Sequence, residues 1–130
     1  MKKDYTVLVA DRNPYVRNLI LRELRAEGYQ VLLAKNGPEI IELVYRGRPI
    51  DLLILDLDIP SIEETSLIVK LKDWSPFLPV VVHSFLSDYE TYREMLNPAD
   101  FVKKERNSVD HLKRSISDIL KQSDKHPAPS

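Results

Sequence analysis

The stretch DLLILDLDIP, residues 51–60, decides the fold of this chain. It contains an unbroken apolar run, Leu52 to Leu55, and two carboxylates, Asp56 and Asp58, follow that run closely. A run this short and this apolar is typical of a strand that is buried on both faces, as strands are in parallel sheets. We therefore interpret it as a central strand of an α/β domain, with acidic side chains at its carboxyl end.

Short apolar runs of the same kind recur along the chain, and segments of helical period separate them. The predicted strands are Thr6 to Ala10, Gln30 to Ala34, Leu52 to Leu55, Val80 to His83 and Phe101 to Lys103. The predicted helices begin at Pro14 after an Asn13 cap, at about Pro38, at about Glu64, at a capping box of Ser87 and Glu90, and near Ser108. The fourth of these is short and bears Tyr89, Tyr92, Met95 and Leu96. This alternation predicts a doubly wound sheet of five parallel strands.

Size, charge and composition limit the kinds of protein that this chain can be. With 130 residues, 43% of them hydrophobic, it can fill one core, and we expect a domain over residues 5–121 with a flexible polar tail or linker stub over 122–130. The net charge of -1 creates no field that favours nucleic acid or a membrane surface. Cysteine is absent, which fits a reducing compartment, and the apolar run from Val7 ends before Asp11, too early for a signal peptide or a membrane span. We expect a cytoplasmic protein.

Polar side chains follow four of the five predicted strands, at the edge where sites form in open parallel sheets. They are Asp11 and Arg12 after the first strand, Asp56 and Asp58 after the third, Ser84 after the fourth and Lys104 after the fifth. This set suits phosphoryl transfer, in which Asp56 attacks the donor while Ser84 and Lys104 hold phosphoryl oxygens. A hard ion such as Mg²⁺ would bind Asp11, Asp56 and the backbone carbonyl of Asp58.

Four motifs in these positions resemble those of the receiver domains of bacterial two-component response regulators. They are VLVADRNPYVR at residues 7–17, DLLILDLDIP at 51–60, PVVVHS at 79–84 and DFVKK at 100–104. The resemblance implies a flavodoxin-like fold in which Asp56 is the phosphoacceptor, Ser84 the switch hydroxyl and Lys104 the phosphate-binding lysine. It also implies that Asp11 is the first residue of the family's acidic pair and that Phe101 is its aromatic switch residue.

The resemblance further implies partners and a reaction. A histidine kinase or a phosphotransfer protein would supply the phosphoryl group, and a downstream protein partner or effector domain would receive the signal. A homodimer is a further assembly that the resemblance allows. The enzymatic activity implied is at most autocatalytic phosphotransfer and dephosphorylation at Asp56, and not the chemistry of a metabolic enzyme.

Several residues depart from the family's pattern, and two of them bear directly on the expected site. Arg12 stands at the second place of the acidic pair, where family members have a carboxylate that binds Mg²⁺. Its guanidinium would either supply part of the charge of the metal or pair with Asp56 or Asp58 and block the site. Phe85 follows Ser84, where a small residue is usual, and its ring would narrow access.

The sequence leaves three functions open. The first is a receiver that accepts a phosphoryl group, and the second is a pseudo-receiver, an interaction module that is not phosphorylated because Arg12 replaces a metal-binding carboxylate. The third is an unrelated small α/β enzyme, which is disfavoured because ADRNP, rather than a glycine-rich phosphate loop, ends the first strand. Phe101 is open too, as a moving switch or as plain core packing, and we expect His83 to be a core or edge histidine.

Overall fold

The computed structural model describes residues 4–47, 49–63 and 65–125, with side chains described as far as residue 122. The strands are β1 (Thr6–Ala10), β2 (Gln30–Ala34), β3 (Leu52–Leu55), β4 (Val80–Ser84) and β5 (Asp100–Lys103). The helices are α1 (Pro14–Ala26), α2 (Gly37–Tyr45), α3 (Leu67–Trp74), α4 (Leu86–Tyr92) and α5 (Ser108–Lys125). All five strands pair in parallel in the order β2-β1-β3-β4-β5, which confirms the predicted doubly wound α/β fold.

The sheet separates two apolar cores. Successive residues of a strand point to opposite faces, so Leu53 and Leu55 of β3 enter one core while Leu52 and Ile54 enter the other. The first core is completed by α2, α3 and Leu96, and the second by α1 and α5. Because both faces are covered, all four residues of β3 are buried, which explains why the strand is an unbroken apolar run.

Local signals set the ends of α1 and the start of α2. The side chain of Asn13 accepts hydrogen bonds from the first two N–H groups of α1, and Gly28 follows that helix with a φ of 98°. Asn36 caps α2 through the N–H of Glu39. Gly37 opens α2 and lies so close to the segment after β3 that a Cβ there would be 2.7 Å from the carbonyl oxygen of Ser61. The N–H of Gly37 also donates to the carbonyl of Pro60, so α2 supports the segment that follows Asp56.

Two predicted helix starts are wrong. The third helix begins at Leu67 rather than at about Glu64, because the chain first turns through Ser61 and Ser66, whose φ angles are 66° and 53°. Glu64 itself lies outside the described residues.

The predicted capping box of Ser87 and Glu90 is also absent, because α4 begins earlier, at Leu86. Its cap is Phe85, which forms no side-chain capping hydrogen bond. The helix ends at Tyr92, so Met95 and Leu96 lie beyond it.

The carboxyl end of the described chain is helical. α5 continues through Lys125, which is four residues into the segment predicted as a tail from residue 122. The remaining part of that segment, residues 126–130, lies outside the described residues, and the predicted domain bounds stay a prediction. Within residues 4–47, 49–63 and 65–125, no helix is both long and apolar enough to cross a membrane.

His83 is a core histidine, as expected. It is 2% exposed, and its Nε2 lies 2.9 Å from the hydroxyl of Ser108 at the start of α5. Its Nδ1 has no hydrogen-bond partner among the described residues. Burial, followed by the positive charge of Lys104, lowers the pKa of His83 from 6.5 to about 4. The imidazole is therefore neutral in the folded protein near neutral pH.

Replacing Gly37 by alanine is expected to lower the free energy of unfolding by about 1–3 kcal/mol, because the new methyl group collides with backbone. The contacts would be 2.7 Å to the carbonyl oxygen of Ser61 and 2.8 Å to Oγ1 of Thr65. Urea unfolding followed by the fluorescence of the single tryptophan, Trp74, measures the change. Gly47→Ala is the control for contact only, because an added Cβ there meets no atom within 4 Å, while its φ of 73° by itself costs about 1 kcal/mol. Amide NMR spectra of both variants separate contact from backbone strain, and equal shifts of the signals of residues 57–63 in both would contradict the explanation by contact.

Acid is expected to destabilise the protein through His83. The pKa of its imidazole is about 4 in the folded protein and 6.5 without the fold, so the unfolded chain binds more protons between these values. The free energy of unfolding therefore decreases as the pH falls from 6.5 to 4, by about 3 kcal/mol in total. Urea unfolding at several pH values in this range measures the slope, and His83→Leu should have a shallower slope. Parallel curves for the two proteins would show that this histidine is not responsible.

Candidate functional site

The candidate site lies at the carboxyl edge of the sheet, where backbone hydrogen bonds continue past the ends of the strands. The N–H of Asp11 donates to the carbonyl of Ala34, and the N–H of Asp56 donates to that of Ala10. The N–H of Lys104 donates to the carbonyl of Ser84. The backbone of each of these polar residues is thus held by the neighbouring strand, so the sheet fixes the positions from which their side chains extend.

An ammonium joins the two buried carboxylates of the site. Nζ of Lys104 lies 2.9 Å from Oδ2 of Asp11 and 3.0 Å from Oδ2 of Asp56. Both carboxylate side chains are 2% exposed, and that of Lys104 is 13% exposed. Burial alone would lower the pKa of Lys104, but the hydrogen bonds and negative charges of the two carboxylates outweigh it, so this pKa lies above its usual value. Lys104 is therefore firmly charged at neutral pH.

For Asp11, burial and the pairing with Lys104 shift the pKa in opposite directions. Burial raises the pKa of Asp11 and the nearby charge of Asp56 adds to that rise, while the hydrogen bond from Lys104 opposes it; the net direction is upward. Oδ1 of Asp11 accepts a hydrogen bond of 2.9 Å from the N–H of Asn13. The carbonyl of Asp11 accepts one of 2.7 Å from the guanidinium of Arg17. The residue is therefore fixed in position by α1 as well as by the sheet.

The other oxygen of Asp56 accepts two hydrogen bonds. The hydroxyl of Ser84 donates to Oδ1 over 3.1 Å, and the N–H of Asp58 donates to the same atom over 3.1 Å. Oγ of Ser84 in turn accepts a hydrogen bond of 2.6 Å from the N–H of Leu57. Asp56 is therefore held in one orientation, within direct reach of one hydroxyl and one ammonium.

Arg12 lies outside this buried cluster. Its Nη1 is 3.3 Å from Oδ2 of Asp58, and both side chains are more than half exposed. Of the two partners that the sequence left open for a pairing of Arg12, the structure shows Asp58 and not Asp56. An exposed pair of this kind contributes about 1 kcal/mol at most, so the guanidinium can leave it at little cost.

Aromatic rings border the site on the side of β4 and β5. The exposed ring of Phe85 has Nζ of Lys104 5.8 Å from its centroid, within the range of a cation–π contact. Phe101 is half-buried and stacks on Tyr89 of α4, with centroids 4.2 Å apart and ring planes 13° apart. The hydroxyl of Tyr92 donates to Glu63 over 2.9 Å, which links α4 to the segment after β3.

Sequence reasoning missed Asp88, which belongs to the charged surroundings of the site. It lies in the first turn of α4. Partial burial, and then the negative charges of Asp58 and Asp56, raise its pKa. The signal that could have revealed it is its position four residues after the strand-ending Ser84, where the first turn of a following helix faces the same edge of the sheet.

No group of three or more acidic or histidine side chains is arranged to hold a metal ion in the part of the chain that the structure describes. Of the three predicted ligands, Asp11 and Asp56 share the ammonium of Lys104, while the side chain of Asp58 turns to Arg12. Two neighbouring carboxylates are thus the acidic donors that the buried site offers.

Comparison with known proteins places this architecture in a family. A family model described as the response regulator receiver domain matches residues 7–116. Response regulator RR06 of Streptococcus pneumoniae serotype 2 is 34% identical over 91 residues, which are 70% of this chain and 41% of that protein. The probable transcriptional regulatory protein TcrX of Mycobacterium tuberculosis is 34% identical over 77 residues, 59% of this chain and 32% of that protein. The chain spans less than half the length of either relative.

Among solved structures, the response regulator protein TrrA from Thermotoga maritima, in complex with Mg²⁺-BeF, is similar over nearly its whole length. The TM-score is 0.77 and the sequence identity 27%, and the match covers 89% of this chain and 99% of that one. The matched family model, the topology of the sheet and the convergence of Asp11, Asp56, Ser84 and Lys104 agree. This chain belongs to the family of response regulator receiver domains of two-component systems.

Proposed function

We propose that this domain accepts a phosphoryl group on Asp56 and thereby changes the affinity of its surface for a protein partner. The observation that carries the proposal is the position of Asp56, buried at a strand end with the hydroxyl of Ser84 at 3.1 Å and the ammonium of Lys104 at 3.0 Å. A carboxylate needs such neighbours to attack a phosphoryl donor, because they offset the negative charge of the phosphoryl oxygens.

The proposed reaction is a transfer that makes an acyl phosphate. A carboxylate oxygen of Asp56 forms a bond to phosphorus, and the bond between phosphorus and the donor's leaving atom breaks, so that the leaving group takes the electron pair. The ammonium of Lys104 and the hydroxyl of Ser84 then bind oxygens of the transferred group. We propose a histidine kinase or a phosphotransfer protein as the donor in the cytoplasm, and a protein partner or effector domain as the receiver of the signal.

The acidic donors of the site fit Mg²⁺, with fewer carboxylates than the family pattern provides. Asp11 and Asp56 are adjacent, since one ammonium contacts both, and the backbone carbonyl of Asp58 is the third proposed ligand. Mg²⁺ in phosphoryl-transfer sites is commonly held by one or two carboxylates together with phosphate oxygens. When bound, the ion supplies positive charge beside the phosphoryl oxygens. Arg12, at the second place of the acidic pair, is expected to weaken its binding.

A specific contact favours a second candidate function, that of a pseudo-receiver. Lys104 contacts both buried carboxylates and offsets one of their two negative charges, and the guanidinium of Arg12 offsets the charge of Asp58. A site whose negative charge is partly offset in this way has less affinity for a further cation. In this alternative the domain is not phosphorylated and binds its partner constitutively.

The contacts of Ser84 and Phe101 suggest how phosphorylation would reach the surface. A phosphoryl group on Asp56 would draw the hydroxyl of Ser84 away from the N–H of Leu57, to which it is now bound. Phe101 stacks on Tyr89, so a change in the packing of its ring also changes the position of α4. The proposed output is a shift between two arrangements of α4.

Asp56→Asn is expected to abolish phosphorylation, because the amide has no carboxylate oxygen to attack phosphorus. Intact-protein mass spectrometry after incubation with acetyl phosphate and Mg²⁺ should show one added phosphoryl group on the wild-type protein and none on the variant. Asp58→Asn is the matched control, since it removes an exposed carboxylate beside the site and keeps the backbone carbonyl. An adduct that persists in Asp56→Asn would refute the assignment. A wild-type protein without an adduct under any condition would support the pseudo-receiver.

Arg12→Asp is expected to raise the affinity for Mg²⁺ about tenfold or more, because it restores a third carboxylate next to Asp11. A titration of MgCl₂ followed by the amide NMR signals of residues 56–58 gives the dissociation constant. Arg22→Asp introduces the same change of charge on an exposed position of α1 and is the control for long-range electrostatics. If both variants gain affinity equally, the position of Arg12 in the site has no special role.

A further inference from the structure

Three exposed aromatic side chains form a patch at the amino edge of the sheet, at the opposite end of the molecule from Asp56. Tyr45 ends α2, Trp74 ends α3, and Phe77 lies in the turn that leads into β4. Their exposed fractions are 76%, 45% and 95%. We call these three residues the aromatic patch.

The patch is continuous and borders a cavity. The rings of Tyr45 and Trp74 have centroids 5.4 Å apart and are tilted by 57°. Trp74 and Phe77 both line an open cavity of about 450 Å³, together with Tyr5, Ile50 and Leu120 among others. The same surface thus carries a projecting ring and, beside it, a hollow whose walls are aromatic, aliphatic and polar, with Asp51 and Ser75 among them.

A surface with a projection beside a hollow can pair with itself. In a two-fold symmetric interface the same patch of each copy faces the other, so the projection of one copy can enter the hollow of its partner. We propose that a second copy of this chain docks on the aromatic patch, with Phe77 of each copy entering the cavity beside Phe77 of the other. The two copies would then cover the same groups that each exposes alone.

The aromatic patch supplies about half of the area that a stable dimer buries. An aromatic side chain buries about 150–250 Å² when it is covered, so the exposed parts of the three rings amount to roughly 400 Å² per copy. Stable interfaces bury about 800 Å² per partner, and the mixed polar and apolar wall of the cavity and the polar rim would supply the rest. Exposed apolar patches of a few hundred Å² on soluble proteins commonly mark interaction sites.

The charges around the patch also permit pairing between identical copies. Lys70 places its Nζ 5.9 Å from the ring of Trp74, while Asp73 is exposed beside it and Asp51 lines the cavity. Arg46 is paired with Glu42 at 2.6 Å. Both signs of charge are present at the rim and the whole chain carries -1, so two copies do not repel strongly.

This dimer would be independent of the phosphorylation proposed for Asp56. The patch lies at the amino ends of the strands, while Asp56 and Ser84 lie at their carboxyl ends. Pairing through the patch leaves α4 and the site open to other proteins. Its test therefore needs no phosphoryl donor, and its failure would say nothing about phosphorylation.

Sedimentation equilibrium of the full chain, from about 1 µM to about 1 mM and without a phosphoryl donor, tests the proposal. The wild-type protein should show a monomer–dimer equilibrium, and Phe77→Ala should raise the dissociation constant at least about tenfold. Phe77→Arg, which places a charge in the interface, should leave a monomer. Tyr15→Ala is the matched control, because it removes a ring of similar exposure from the start of α1, and it should leave the dimer unchanged.

The fluorescence of Trp74, the single tryptophan, gives a second readout at the interface itself. Its emission should shift to shorter wavelength as the protein concentration rises, and the shift should be absent from Phe77→Arg. A protein that stays monomeric over the whole range would overturn the proposal and leave the patch to an unrelated partner. A dimer that is as strong in both Phe77 variants as in the wild-type protein would overturn the proposal too, because the two copies would then meet at another surface.

Discussion

The ammonium of Lys104 between Asp11 and Asp56 is the interaction on which the site depends. Two carboxylate side chains that are each 2% exposed repel one another and lose their hydration, so neither is stable at this edge of the sheet without a shared cation. Lys104 can act as that cation because its N–H is bound to the carbonyl of Ser84, which continues the pairing of β4 and β5. The electrostatics of the site therefore depend on the order of the strands.

That dependence explains why the sequence predicts the site better than it predicts the helices. The buried strands are short apolar runs, and residues directly after them, such as Asp56 and Lys104, must meet wherever parallel strands end together. β4 and β5 each gain one residue, Ser84 and Asp100, relative to the prediction. Strand ends are therefore readable from residue type to within one residue.

The features that the sequence did not predict depend either on local backbone conformations that residue type does not reveal or on which side chains the fold brings together. The late start of α3 follows from positive φ angles at Ser61 and Ser66, residues that carry no glycine signal. Ser87 and Glu90 have the residue types and spacing of a capping box, but α4 starts before Ser87, and the N–H of Tyr89 donates to the carbonyl of Phe85. The sequence could not predict which carboxylate pairs with Arg12 either. Asp56 and Asp58 are two residues apart, and only the fold decides which of them faces solvent.

α4 is attached to the rest of the domain more loosely than the other helices are. It has seven residues, none of them buried; the ring of Tyr89 stacks on Phe101, and the hydroxyl of Tyr92 donates to Glu63. A helix this short is not stable by itself in water, so its local unfolding free energy lies well below that of the sheet. Its amide hydrogens would therefore exchange with solvent long before those of β1, β3 and β4, and the helix would sample open states while the core remains intact.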